Sequence, residues 1–343
     1  MPATLQIKAL MNEIAAGKSL DEDGIITALE LLSGDEATPE ARSAFLMGLR
    51  VRGETVLELT GAARHMRAKM LTVDAPDNAI DIVGTGGDGH GTYNVSTCAA
   101  IVAAGAGLKV AKHGNRSVSS KSGASDVLSA LGVKLDADFT VVSQAIDQAG
   151  VGFLWAPMHH PIMKTWAPIR AELGIRSLFN LMGPLCNPAG VKRQVIGVFS
   201  EAWVEPVADV LVNLGAEHAW VVHGADGMDE LTTTGATTVA EVKDGEVALF
   251  TVTPDAAGLP TARLDDLRGG DGQENAAALM KVLDGQPSAY RDIVVLNTAA
   301  ALVVSERASN LADGAQQAAK AIDDGRAKAA LERLVAISNG AAN

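Results

Sequence analysis

The chain has 343 residues, 48% of them hydrophobic, with 41 acidic against 28 basic side chains and a formal net charge of −13. That length allows two domains with sizeable cores, while the acidic balance and 3% aromatic content argue against a nucleic-acid-binding surface. Two distant cysteines, Cys98 and Cys186, argue against a disulfide framework, and no run of 18 uncharged apolar residues is available to cross a membrane.

The N-terminal stretch MPATLQIKALMNEI reads as the start of an amphipathic helix. It lacks the basic and apolar regions of a signal peptide, so a cytoplasmic protein is expected. Residues 4–70 read as four helices. Ser19 to Glu22 matches a capping box, Gly34 is a stop, Thr38 with Pro39 is an N-cap followed by proline at N1, and Thr55 to Glu58 is a second box. Ile25, Leu29 and Leu32 recur at helical spacing. Arg64, His65, Arg67 and Lys69 make a cationic helix end that suits the macrodipole without any ligand. This segment predicts a small helical domain with no chemistry of its own.

From Ile80 the rhythm changes. Apolar runs at 80–83, 108–111, 152–155, 195–199 and 219–223 alternate with helical segments, which predicts an α/β domain with a mainly parallel sheet. The first run opens into five glycines in eight residues, Gly84, Gly86, Gly87, Gly89 and Gly91. Such a loop permits positive φ and a close approach of backbone to ligand. Asn94, Ser96 and Thr97 stand where they can cap the helix that follows and aim its free N–H groups outward. The second run delivers Lys112, His113, Asn115 and Arg116 to the same edge. Between Gly89 and Ser125 there is no Asp or Glu, where average usage would place about four, and Lys109, Lys112, Arg116 and Lys121 lie there instead. Cations without anions beside a glycine-rich turn point to phosphate binding. The plainer alternative is a loop joining two core elements, followed by a solvated basic turn.

Gly84, Gly86 and Gly89 also satisfy G-x-G-x-x-G. A dinucleotide site, however, needs a helix opening within the loop and an acid about 20 residues on, and neither is present. No Gly-Lys-Ser/Thr follows, so it is not a Walker loop either. Asp88 inside the loop would repel a bare phosphate and makes sense against a sugar hydroxyl, a metal ion or a backbone amide.

Three more clusters follow. His159, His160 and Arg170 flank a helix predicted from Pro161; adjacent histidines diverge and make a poor metal pair, while Arg170 suits a carboxylate clamp or is an ordinary surface arginine. Phe179 to Pro188 contains the turn dipeptides Gly183-Pro184 and Asn187-Pro188 and reads as a rigid loop. Asp229 and Glu230, after a strand, offer hard oxygens of the kind Mg²⁺ takes when phosphates complete its shell, or form a plain acidic loop. Residues 238–252, turning at Asp244-Gly245, read as a hairpin decorating the side of the domain, and residues 275–338 as Ala-rich helices.

The segments DIVGTGGDG, NVST, KHGNRSVSSKSG, RSLFNLMGPLCNP after Arg170, and GMDE, in that order, resemble the anthranilate phosphoribosyltransferases of tryptophan biosynthesis over nearly the whole chain. The resemblance implies an α/β fold akin to the nucleoside phosphorylases, with a helical domain at 1–72, joined by a discontinuous piece from about 160–185, and a phosphoribosyl pyrophosphate-binding α/β domain over 73–343. It implies a homodimer. It places phosphoribosyl pyrophosphate on Gly84, Gly87, Asp88, Thr92, Asn94, Val95, Ser96, Thr97 and Lys112, under a closing loop of Asn115, Arg116, Ser117, Val118, Ser119 and Ser120. It places Mg²⁺ on Ser96, Asp229 and Glu230. Anthranilate falls to Gly84, His113, Asn115, His160, Arg170 and Gly183, with Arg170 on its carboxylate. One departure is visible: Ala124-Ser125 stands where the family usually reads Ser-Ala, which takes away the serine side chain expected to contact phosphate at position 124 and leaves a backbone N–H to replace it.

The chemistry agrees. Departure of pyrophosphate from the ribose passes through an oxocarbenium-like state, so charge on the leaving group must be stabilised, an electrostatic task for Lys112, loop N–H groups and the Mg²⁺ that Asp229 and Glu230 would hold. The attacking aromatic amine is already neutral at pH 7, and no catalytic dyad is visible. Catalysis chiefly by positioning and electrostatics is expected. A pyrimidine nucleoside phosphorylase, or a nucleic-acid-binding homologue without activity, are the alternatives.

Overall fold

The computed structural model describes residues 3–116 and 121–341. Four helices come first: α1 (Ala3–Ala15), α2 (Glu22–Ser33), α3 (Pro39–Arg52) and α4 (Val56–Lys69). Their ends follow local capping chemistry. Thr38 Oγ1 accepts from the Ala41 N–H with Pro39 at the first turn, and Thr55 and Glu58 form a reciprocal capping box. The Ser19 box does not form. Asp21 is the N-cap of α2 and accepts from the Gly24 N–H, while Glu58 reaches back to the Leu20 N–H and pairs with Arg52, tying the start of α2 to α4.

The remainder of the chain builds one seven-stranded sheet in the order β3-β2-β1-β4-β5-β6-β7. Its strands are β1 (Ile80–Gly84), β2 (Val110–Gly114), β3 (Val151–Trp155), β4 (Arg193–Gly197), β5 (His218–Gly224), β6 (Thr237–Lys243) and β7 (Glu246–Val252). The first five pair in parallel. The β6–β7 hairpin turns at Asp244 and Gly245, both at positive φ, and pairs antiparallel with β5 through all seven of its residues. It extends the main sheet and is not a side decoration; the expectation missed the long register with β5. Between and after the strands lie α5 (Val95–Gly105), α6 (Ala124–Ala130), α7 (Phe139–Gln148), α8 (Ala156–His159), α9 (Met163–Leu173), α10 (Phe179–Leu185), α11 (Val204–Asn213), α12 (Gly272–Leu283), α13 (Ala289–Val304), α14 (Leu311–Asp323) and α15 (Arg326–Ser338).

Strand side chains alternate between faces, and here both faces are buried. Ile80, Ile82, Val195, Trp220, Val222 and Val239 join the core formed with α5 and α12–α15. Val83, Ile196, Val198, Ala219, Val221, Ala240 and Val242 join the core formed with α2–α4, α9, α10 and α11. Trp166 and Phe179 belong to that second core, their rings 5.0 Å apart, and the Trp166 indole donates to Ser33 Oγ on α2.

Two further local expectations are corrected. The segment from Phe179 is not a loop: α10 runs through Gly183 and Pro184, because five of its seven side chains are buried and tertiary packing outweighs the turn dipeptide. The second strand begins at Val110 and includes Lys112 and His113 rather than ending before them. A charged residue lies inside a strand because its ammonium is satisfied across the sheet, as described next.

Candidate active site

The C-terminal ends of β1, β2, β4 and β5 meet at one crevice. β1 ends at Gly84 because Asp229 approaches so closely: a Cβ there would sit 2.4 Å from Asp229 Oδ2, and a Cβ on Gly197 would sit 1.5 Å from the Asp229 carbonyl oxygen. Two glycines on paired strands therefore admit the loop after β5 to the crevice. Asp229 Oδ2 accepts from the Gly86 N–H at 2.6 Å, and Glu230 Oε1 accepts from the Ser96 N–H at 3.1 Å. The glycine loop and the first turn of α5 are each held by one of two adjacent carboxylates.

Asn94 stands at the N-cap of α5 but its side chain makes no capping bond; that expectation is corrected. Its side chain instead donates to the Ser122 carbonyl at 3.3 Å and accepts from Asn275 Nδ2 at 2.8 Å, and the Tyr290 hydroxyl donates to its backbone carbonyl. The cap of α5 is supplied by Glu230, an acid 134 residues away. An acid-free window in sequence thus becomes an acid-capped helix in space.

Lys112 is buried, and its Nζ donates to the Ile82 carbonyl at 2.7 Å and to Ser96 Oγ at 3.3 Å. Burial lowers its pKa, while Asp81, Glu230 and Asp229 oppose that shift and support the ammonium. The carboxylates show the converse. Burial pushes Asp229 up to about 7, with Asp88 adding repulsion, and burial with the neighbouring Asp229 raises Glu230 well above the ordinary range. Asp229 and Glu230 accept from the Gly86 and Ser96 N–H groups, Asp229 also meets the Asp88 side chain, and the charge of Lys112 that acts on both acts on Asp81 as well, an arrangement short of positive charge and suited to a hard cation. Among the described residues no group of three or more His, Cys, Asp or Glu side chains forms a protein-only metal cage. Two carboxylates and the Ser96 hydroxyl fit an ion that draws its other oxygens from a phosphate ligand.

A second wall is built from histidines. His113 Nδ1 lies 2.8 Å from the Gly183 carbonyl and His160 Nε2 lies 3.2 Å from His113 Nε2. A carbonyl only accepts, so His113 is protonated at Nδ1, and its Nε2 accepts the proton of His160 Nε2. Burial holds both rings neutral, pushing His113 down to about 3 and His160 down to about 4. His159 points elsewhere, to the Leu71 carbonyl, and stacks on Phe139. α10 joins this wall to Arg170: Gly183 on α10 engages His113, and the Arg170 guanidinium lies 5.7 Å over the ring of Phe179 at the start of α10. No carboxylate pairs with Arg170 among the described residues, and an added Cβ at Gly183 would meet open space.

The other predicted residues are distributed as follows. Val95 and Thr97 are buried in the first turn of α5. Thr92 forms a bridge with Arg268. Asn115 is exposed and accepts from the Arg116 N–H, and Arg116 is a loose 4.0 Å neighbour of Asp126. Ser117, Val118, Ser119 and Ser120 lie outside the described residues. Ala124 is the first residue of α6, where Asp126 accepts from the Gly123 N–H.

Sequence reasoning missed several contributors. Asp81 is buried mid-strand, where it accepts from the His113 N–H and from Asn187 Nδ2 and fixes the end of β2. An acid inside an apolar run was the available signal. Arg176, before α10, donates to the Gly87 carbonyl and lies 4.3 Å over the Phe199 ring. Asn275 and Tyr290, which hold Asn94, come from helices that carried no local signal.

A helical domain seated on a parallel sheet, with a glycine loop, a buried lysine and paired carboxylates at the strand ends, defines a two-domain glycosyl transferase. Residues 8–70 match the helical bundle domain and residues 76–328 the a/b domain of the glycosyl transferase family. An anthranilate phosphoribosyltransferase from Rhodopseudomonas palustris strain BisB5 is 57% identical over 97% of this chain and 99% of its own length. The crystal structure of anthranilate phosphoribosyltransferase from Thermus thermophilus superposes with a TM-score of 0.91 at 40% identity, covering 96% of this chain and 99% of that one. That from Saccharomyces cerevisiae, in complex with PRPP and Mg, gives a TM-score of 0.89 at 29% identity, covering 97% and 98%. The chain belongs to the anthranilate phosphoribosyltransferase family.

Proposed function

We propose that the chain transfers the 5-phosphoribosyl group of phosphoribosyl pyrophosphate to the amine of anthranilate, releasing pyrophosphate, with Mg²⁺ as cofactor. The observation that carries this reading is the convergence of the Gly84–Asn94 loop, Ser96, Lys112, Asp229 and Glu230 on one crevice, with neutral histidines on its other wall. Asp229, Glu230 and Ser96 would hold Mg²⁺, which when bound offsets charge building on the departing pyrophosphate. Lys112 is held by Ile82 and Ser96 in a low-dielectric site, where its charge acts on the leaving group without reorganisation. Loop N–H groups and the first turn of α5 supply further fixed donors. Neutral His113 and His160, with Gly183, give the acceptor an uncharged wall, and Arg170 is the cation for its carboxylate. The amine arrives neutral, so the chain's contribution is orientation and electrostatics.

The same reading assigns the helical unit to 1–72 with the 160–185 segment, supported by the Trp166–Ser33 bond and the shared core, and the α/β unit to 73–343. A homodimer in the cytoplasm is proposed with it. Exposed Leu5, Met47 and Val51 on the packed helices α1 and α3 support self-association, and among the described residues no helix is long and apolar enough to cross a membrane. Equilibrium sedimentation tests the dimer. For the reaction, product analysis after mixing chain, anthranilate, phosphoribosyl pyrophosphate and Mg²⁺ should give one phosphoribosylated anthranilate per pyrophosphate. Phosphorolysis of thymidine or uridine without that product would assign the scaffold to a nucleoside phosphorylase.

A further inference from the structure

The glycine loop is pinned at two peptide groups. On one side the Gly86 N–H donates to Asp229 Oδ2; on the other the Gly87 carbonyl accepts from Arg176 Nη2. Gly87 sits at φ +80° and carries no side chain to resist a flip of the Gly87–Asp88 peptide. Across a trans peptide the C=O and the following N–H point in opposite directions. Holding the Gly87 carbonyl toward Arg176 therefore turns the Asp88 N–H away from Arg176, and that N–H has no partner among the described residues. Arg176 lies in the short connection between α9 and α10, and its guanidinium is placed by the face of Phe199, 4.3 Å away, just beyond β4. No acid pairs with it among the described residues.

We propose that Arg176 is a positioning residue for phosphoribosyl pyrophosphate, clasping the Gly87 carbonyl so that the Asp88 N–H is held as a donor to the pyrophosphate. The proposal rests on the function given above. It joins the connection leading to the acceptor wall with the loop that binds the donor substrate. Without the clasp the glycine peptide samples both orientations, and binding must first select one.

The test is kinetic and calorimetric on the full chain. Arg176→Ala is expected to raise the KM for phosphoribosyl pyrophosphate and the Kd for magnesium pyrophosphate about tenfold, the scale of a charge-assisted hydrogen bond. The KM for anthranilate at saturating donor should move less than about twofold on the same scale. Arg176→Lys, which can donate but not stack, should fall between, and Phe199→Leu should repeat the effect weakly. A donor KM within about twofold of wild type, or both KM values rising together with a lowered melting temperature, would overturn the clasp. Wild-type chain that fails to bind magnesium pyrophosphate would overturn the function itself, a result distinguishable from wild-type binding that Arg176→Ala leaves intact.

Discussion

Asp229 and Glu230 are neighbours in sequence, yet one holds the glycine loop and the other caps α5. Both carry pKa values raised by burial. For Asp229, at about 7 folded against an ordinary 3.8, the native state keeps a proton that the unfolded chain releases. Its contribution to stability is therefore greatest at the acid end of that window and is lost as pH rises toward 7. A cation bound there displaces the proton, so Mg²⁺ affinity rises with pH through about 7, with the raised Glu230 adding a proton release of its own. Asp229→Asn should weaken Mg²⁺ activation at pH 8 about tenfold and flatten the protein-linked part of its pH dependence between pH 6 and 8. Unchanged Mg²⁺ titrations would remove Asp229 from the site. Arg170, unpaired with any acid among the described residues and lying over Phe179, belongs to the same scale. Arg170→Ala is expected to raise the anthranilate KM at least about tenfold with little change for the donor substrate, since a carboxylate loses its charged partner. Equal loss of both would contradict its role.

At the scale of elements, the site depends on a loop resting against strands. Gly197→Ala puts a methyl group where the Asp229 backbone already is, so the loop after β5 must move. Activity should fall at least about a hundredfold, the cost of misplacing groups that act by orientation, while Gly235→Ala, facing open space, should be nearly silent. Activity retained in Gly197→Ala would show that the loop tolerates displacement. The histidine wall makes a second element-scale prediction. Folded His113 and His160 titrate near 3 and 4, below the unfolded value near 6.5. Their contribution to stability is present above about 6.5 and is lost as pH falls toward the folded values. At pH 5 this amounts to about 2 kcal/mol for each ring. His113→Gln should shrink the drop in urea stability between pH 7.5 and pH 5 by about that amount; parallel curves for variant and wild type would refute the assignment.

Helix caps at Thr38 and Thr55, the parallel strand sequence and the glycine loop were legible because their causes are local: side-chain oxygens near free N–H groups, apolar runs, missing Cβ atoms. Other features were not. Asn94 looked like a cap and is bound elsewhere, because Asn275 and Glu230 arrive from distant segments. Phe179–Leu185 read as a loop from its Gly-Pro, but burial against the helical core keeps it helical. Arg176 carried no local mark, since its partners Gly87 and Phe199 meet it only in the fold.

For the whole molecule, the strand order explains why these residues meet. From β1 the chain adds β2 and β3 on one side, then returns to place β4 and β5 on the other. Such a reversal opens a crevice at the C-terminal strand ends, where ligands bind in α/β sheets. The Gly84 loop, His113, Gly197 and the Asp229 loop all lie at those ends. Strand order is set by long-range packing, so periodicity along the chain identifies the strands without ordering them. The central claim is that one crevice joins a magnesium-dependent phosphoribosyl donor to an aromatic amine. It is tested most directly by following anthranilate fluorescence as chain, phosphoribosyl pyrophosphate and Mg²⁺ are mixed and each is omitted in turn. Fluorescence is expected to fall only with all three present. Fluorescence that persists in the complete mixture, with phosphoribosyl pyrophosphate bound, would contradict it.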